Sequence, residues 1–147
     1  MAVDHRSRDV AAMLQPLLSS LVDAELPVLA AHDLSMWGYA VLGALSDGPV
    51  RTQAALCEAI GADKTRIITT LDKLQAAGLI SRLPDPADRR VRLLAITKEG
   101  REVHHSVRAA IRAGEDRVLA TLTPADRRAF LSALNALADS IDAQRRG

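Results

Sequence analysis

Between Asp63 and Arg90 the sequence gathers the side chain types that hold a polyanion. Lys64, Thr65, Arg66, Thr69 and Lys73 lie close together, and Asp88, Arg89 and Arg90 close a Pro-containing loop further on. An arginine can donate two hydrogen bonds to guanine O6 and N7, worth about 1 to 3 kcal/mol of discrimination between bases. Threonines contact phosphates or a thymine methyl, and lysines at the margins neutralise phosphates. Arginines at the end of a ribbon can reach a minor groove, where a narrow A·T-rich stretch concentrates negative potential. Asp88, two residues before Arg90, can hold that guanidinium by a bidentate pair. Asp72 is the awkward member, because phosphates repel a carboxylate; it is expected to pair with a neighbouring Lys or Arg and orient it.

These residues do their chemistry only if helices and a hairpin aim them. Thr52 caps a short helix from Gln53 to Ile60, and Gly61 suits the left-handed turn that follows. Asp63 caps a longer helix from Lys64 to Ala77, closed by Gly78. At 100° per residue Ile67, Leu71, Leu74 and Gly78 share its inner face, while Thr65, Arg66, Thr69, Asp72, Lys73 and Ala76 share the outer one. Leu79 to Leu83 and Val91 to Ile96 are β-prone runs joined by Pro84 to Arg90, a hairpin with a basic tip. Short helix, turn, longer helix and basic hairpin together spell a winged helix-turn-helix.

Around this segment the chain reads as helix. Val10, Met13, Leu14, Leu17, Leu18, Leu21 and Val22 recur at helical spacing from Asp9 to Leu26, where Pro27 should end or kink the helix. Ser35 caps a second helix through Leu45, closed by the turn Ser46-Asp47-Gly48-Pro49. Thr97 opens a long fifth helix to about Leu119, and Thr123-Pro124 starts a sixth, whose Phe130, Leu131, Leu134, Leu137, Ala138 and Ile141 form one stripe. The fold class is therefore mainly α: a winged helix-turn-helix domain with a small β-hairpin wing, residues 34–97, plus a long-helix dimerisation domain, residues 1–33 and 98–147. The long helices carry more apolar stripe than so small a wing domain can cover, which points to a second copy of the chain.

Composition agrees. The 147 residues are 48% hydrophobic yet only 2% aromatic, which favours helix-on-helix packing. The net charge of +1 hides a basic middle: from Arg51 to Arg101 there are ten basic and six acidic residues, against nine and twelve elsewhere. Such a patch is the footprint of a face that meets double-stranded DNA. A single cysteine, Cys57, excludes an internal disulfide and is expected to be a small buried residue. With no apolar run near the ~20 residues of a membrane span and a polar start, a cytoplasmic location without membrane contact is expected. Nothing suggests a catalytic constellation or a cofactor site, so the chain is not expected to be an enzyme.

The run Asp63-Lys64-Thr65-Arg66, then Leu71-Asp72-Lys73-Leu74-Gln75-Ala76-Ala77-Gly78-Leu79-Ile80, the wing Pro84-Asp85-Pro86-Ala87-Asp88-Arg89-Arg90 and the segment Leu94-Ala95-Ile96-Thr97-Lys98-Glu99-Gly100 resemble the MarR (multiple antibiotic resistance regulator) family. The Asp-Arg-Arg wing followed by a strand and Thr-x-x-Gly is the specific part. The resemblance implies a six-helix protomer that dimerises through its first, fifth and sixth helices. It puts Thr65, Arg66 and Thr69 on a recognition helix, Arg90 on the wing arginine that enters the minor groove, and Asp88 on its acidic partner. It implies a transcriptional repressor on a pseudo-palindromic operator, released by a small aromatic effector; His32, Trp37 and Tyr39 are the candidate pocket residues, core packing being the competing role of Trp37 and Tyr39. Two departures stand out: Thr69 occupies a position where many relatives have arginine, and Cys57 lies in the short helix, away from the N-terminal thiol of peroxide-sensing relatives. Two other readings remain open. A metal-sensing repressor would use His104 and His105 with the other two histidines, although adjacent helical positions point about 100° apart and rarely share an ion; a winged-helix module could instead bind protein.

Overall fold

Side-chain caps set the helix starts that matter for the site. Ser35 accepts from the Gly38 amide at 2.9 Å, Thr52 from Ala55 at 3.1 Å and Thr123 from Asp126 at 3.2 Å. Asp63 Oδ1 accepts from both Thr65 and Arg66, at 2.8 and 2.9 Å, closing the orphan amides of the next helix. The computed structural model describes residues 7–48 and 51–147. Along them run α1 (Val10–Ala31), α2 (Met36–Asp47), β1 (Arg51–Thr52), α3 (Gln53–Ile60), α4 (Lys64–Ala76), β2 (Ile80–Pro84), β3 (Arg92–Ile96), α5 (Lys98–Leu119) and α6 (Pro124–Arg146). The fold is mainly helical with a small antiparallel sheet, as expected.

Two features depart from the expectation. The first helix does not stop at Pro27 but continues to Ala31. An interior proline costs about 3 kcal/mol, and the turn beyond it buries Leu29 and packs Val28 against the core; burying one such side chain returns about 1.5 to 3 kcal/mol. Leu34 N bonds back to Leu29 O at 3.0 Å around Asp33, whose φ of 51° closes the helix in the left-handed region. The sheet also has a third strand: β1 pairs with β3 through Arg51↔Leu94 and Thr52↔Leu93, giving the order β1-β3-β2. Of the turn expected at 46–49, Pro49 lies outside the described residues.

The chain divides into two compact units, the first ending at Ile111 and the second comprising Arg112–Gly147. The first holds the core: Val41, Leu42 and Leu45 of α2, Leu56 of α3, Ile67 and Leu71 of α4, Leu94 of β3 and Val107 of α5 are all buried. Cys57 is buried among them, as expected. Among the described residues no charged or polar side chain is buried. In the second unit Asp116 and Arg127 form an ion pair between α5 and α6, and none of the residues of α6 is buried.

His104 on α5 stacks on Tyr39 of α2, ring centroids 5.2 Å apart and 24° from parallel. Burial, Arg108 and His105 hold its pKa below the ordinary 6.5, with Asp47 opposing. The neutral ring is thus favoured in the folded state, and its contribution to stability is complete above pH 6.5 and lost as pH falls through the lowered value. Thermal melts at pH 5 and 7.5 should show an acid destabilisation that His104→Phe, which keeps the stack, reduces. An identical pH response in the variant would place the effect elsewhere.

Candidate nucleic-acid interface

The α4 helix is anchored by one face and free on the other. Ile67, Leu71 and Leu74 are buried, and at about 1.5 to 3 kcal/mol each they fix its rotation. Lys64, Thr65, Arg66, Thr69 and Lys73 are all exposed, as is Ala76, so the outer face carries donors and small groups at the positions read from the sequence. Gly61 and Gly78 bracket α4 with φ of 69° and 75°, a region that side chains with a Cβ rarely adopt. This lets α3 lead tightly into α4 and α4 into β2.

The wing is ordered by its own polar groups. Asp85 N bonds to Val91 O at 2.8 Å, Val91 N to Asp88 O at 2.9 Å, and Ala87 N to Asp85 Oδ1 at 2.9 Å. Arg90 donates from Nε to Asp88 Oδ1 at 3.1 Å and from its terminal nitrogen to Oδ2 at 3.3 Å, and its amide also reaches Asp88 Oδ1. The guanidinium beside Asp88 holds its carboxyl below the usual carboxylate range. Arg90 nevertheless stays 91% exposed at its side chain, and Arg89 is exposed beside it. Pro84, without an amide to donate, ends β2 opposite Arg92 on an edge strand, where proline is tolerated.

Asp72 does find a cationic partner. That partner is Arg82 of β2, ten residues on, whose Nε also donates to Gln75 Oε1 at 2.8 Å. Arg82 was not among the residues singled out from sequence; the only hint was the need of an outward carboxylate for a cation.

Of the three candidate pocket residues, His32 follows α1, and Trp37 and Tyr39 stand at the start of α2. His32 Nδ1 lies 2.9 Å from Val28 O, Tyr39 packs on His104, and Trp37 is half-buried. A cleft of about 410 Å³, which none of these three residues lines, opens between the α1–α2 junction and α4, bounded by Ser35, Gly38, Thr70, Lys73, Leu74 and their neighbours. Among the described residues there is no group of three His, Cys, Asp or Glu side chains that could hold a metal ion. No single helix there is long and apolar enough to cross a membrane.

With this geometry in view, comparison with known proteins gives a family for the region that carries it. A family model described as "MarR family" matches residues 32–91, which run from the end of α1 to the far side of the wing. The winged-helix region is of the MarR family. The chain is 38% identical over 71 residues to the transcriptional regulator HosA of Escherichia coli O111:H-, an alignment covering 48% of this chain and 53% of that one. It thus spans about half the length of the curated relatives it matches. The crystal structure of MarR superposes with a TM-score of 0.84, covering 95% of each chain at 26% identity. The transcriptional repressor CouR, solved bound to a 23-mer DNA duplex, gives 0.78 over 94% of this chain and 98% of that one, also at 26% identity.

Proposed function

We propose that this MarR-family chain is a cytoplasmic, homodimeric transcriptional repressor, not an enzyme, that binds double-stranded DNA through α4 and the wing. The observation that carries the reading is the pairing of two exposed donor sets, Arg66 with its neighbours on α4 and Arg89 and Arg90 on the wing, above buried anchors in one compact unit. The DNA-bound CouR neighbour supports it. Each protomer presents Lys64, Arg66, Lys73, Arg89 and Arg90 to phosphates and base edges, with Thr65 and Thr69 between them. Exposed rows on α1 (Val10, Leu14, Leu18) and α6 (Leu134, Leu137, Ile141) support dimerisation through residues 1–33 and 98–147. A two-fold pair would present its recognition helices to half-sites about 34 to 36 Å apart, hence a pseudo-palindromic operator.

A small aromatic effector completes the proposal. The cleft beside Ser35, Thr70 and Lys73 falls within the ~300 to 1,000 Å³ typical of ligand sites. Lys73 belongs both to this cleft and to the exposed face of α4, so a ligand there would compete with DNA for one cation. His32, Trp37 and Tyr39 remain the alternative lining.

The test is selection of bound genomic fragments followed by salt titration of the tightest. Six to ten phosphate contacts should cost about a thousandfold or more in affinity between 50 and 200 mM salt. A salt-insensitive complex would favour an apolar protein interface instead.

A further inference from the structure

The Arg82 clamp has a meaning beyond holding two elements together. Asp72 stands on α4 next to Lys73 and three residues after Thr69, with its side chain 62% exposed. Left alone it would set a negative charge among the cations proposed to face phosphates. Arg82 reaches it from β2, with a side chain only 18% exposed and a second bond to Gln75 one turn along the same helix. The strand beneath is fixed, because Arg82 pairs in register with Leu94, which is fully buried. The guanidinium is therefore held by two partners and by its strand.

We propose that Arg82 is a positioning residue whose task is to cancel the charge of Asp72, so that the recognition face presents only its cations to the duplex. This rests on the DNA-binding reading above. As a source of fold stability the pair counts for little, since ion pairs with an exposed partner contribute about 0 to 1 kcal/mol. Its weight lies at the interface, where an uncancelled carboxylate near phosphates is repelled and a cancelled one is not.

Charge cancellation and structural clamping make opposite predictions for Asp72. Binding to a mixed-sequence duplex of about 30 base pairs at about 50 mM salt, where electrostatic attraction dominates, is measured for wild type, Asp72→Asn, Arg82→Gln and the double variant, with circular dichroism to confirm folding. Under cancellation, Arg82→Gln loses on the order of tenfold in affinity. Asp72→Asn binds as well as wild type or more tightly, and the double variant, whose net charge equals that of wild type, returns to within about threefold of it. Arg127→Gln, which breaks the ion pair with Asp116 between α5 and α6, reports the effect of one lost positive charge outside the proposed recognition face and should change affinity much less. If Asp72→Asn loses as much as Arg82→Gln and the double variant is no better than either, the pair is a structural clamp and the proposal is overturned. An Arg82→Gln loss no larger than that of Arg127→Gln also overturns it. Failure of the wild type to bind any duplex would instead sink the DNA-binding reading.

Discussion

Gly100→Ala is expected to lower the melting temperature by about 10 °C. A Cβ at this position would overlap the carbonyl oxygen of Leu79 and stand 2.8 Å from Ile96 Cγ1. The first obstacle is backbone and cannot swing aside as a long side chain would. That backbone is also pinned: Thr97 Oγ1 donates to Gly78 O at 2.7 Å, Thr97 N donates to Leu79 O at 3.0 Å, and Gly100 N donates to Thr97 Oγ1 at 3.0 Å. One threonine thus caps the start of α5 while gripping the turn that ends α4, and the glycine three residues later lets the two approach. Overpacking a tight site costs about 1 to 3 kcal/mol, occasionally more, and the backbone clash puts this one at about 3. At roughly 2 to 4 °C per kcal/mol for a chain near this size, a melt resolves it easily. A variant melting within about 2 °C of wild type would mean that the contact yields at little cost. The physical sense of the Thr-x-x-Gly motif lies here: it ties the root of α5 to the turn that ends α4.

What could be read from sequence divides along the range of the interaction. The caps at Ser35, Thr52, Asp63 and Thr123, and the left-handed glycines at 61 and 78, depend on neighbours within a few residues, and each was identifiable from residue type alone. The inner face of α4 was identifiable too, because helical period determines which side chains share a side. β1 was not: two residues carry no period, and they become a strand only because Leu93 and Leu94 lie opposite. Nor was the passage of α1 through Pro27, where local cost is outweighed by distant burial of Leu29. At the site, the Asp88–Arg90 pair was foreseeable because its members are two residues apart, whereas the partner of Asp72 depends on how β2 crosses α4. The cleft beside Lys73 depends on the packing of three helices, which residue type does not disclose, whereas His32, Trp37 and Tyr39 were chosen on residue type.

Arg90→Ala is expected to weaken DNA binding by about two orders of magnitude or more while leaving the fold and the assembly state of the protein unchanged. The second half of that statement follows from exposure: with 91% of its side chain accessible, Arg90 contributes no packing, and its pair with Asp88 lies at the surface. The first half has two parts. The variant loses a guanidinium held at the wing tip, a contact worth about 1 to 3 kcal/mol in a groove, and in a dimer the loss occurs twice. It also leaves the Asp88 carboxylate uncompensated where phosphates approach, so Asp88→Asn in the same background should recover part of the affinity. Counterion release separates this from a general weakening, since each lost phosphate contact should reduce the salt slope by about one. Equal affinity and an equal slope for variant and wild type would remove the wing from the mechanism and leave α4 as the only reader of the duplex. A loss of affinity with an unchanged slope would instead mean that Arg90 acts through shape, fitting a narrow groove without displacing ions.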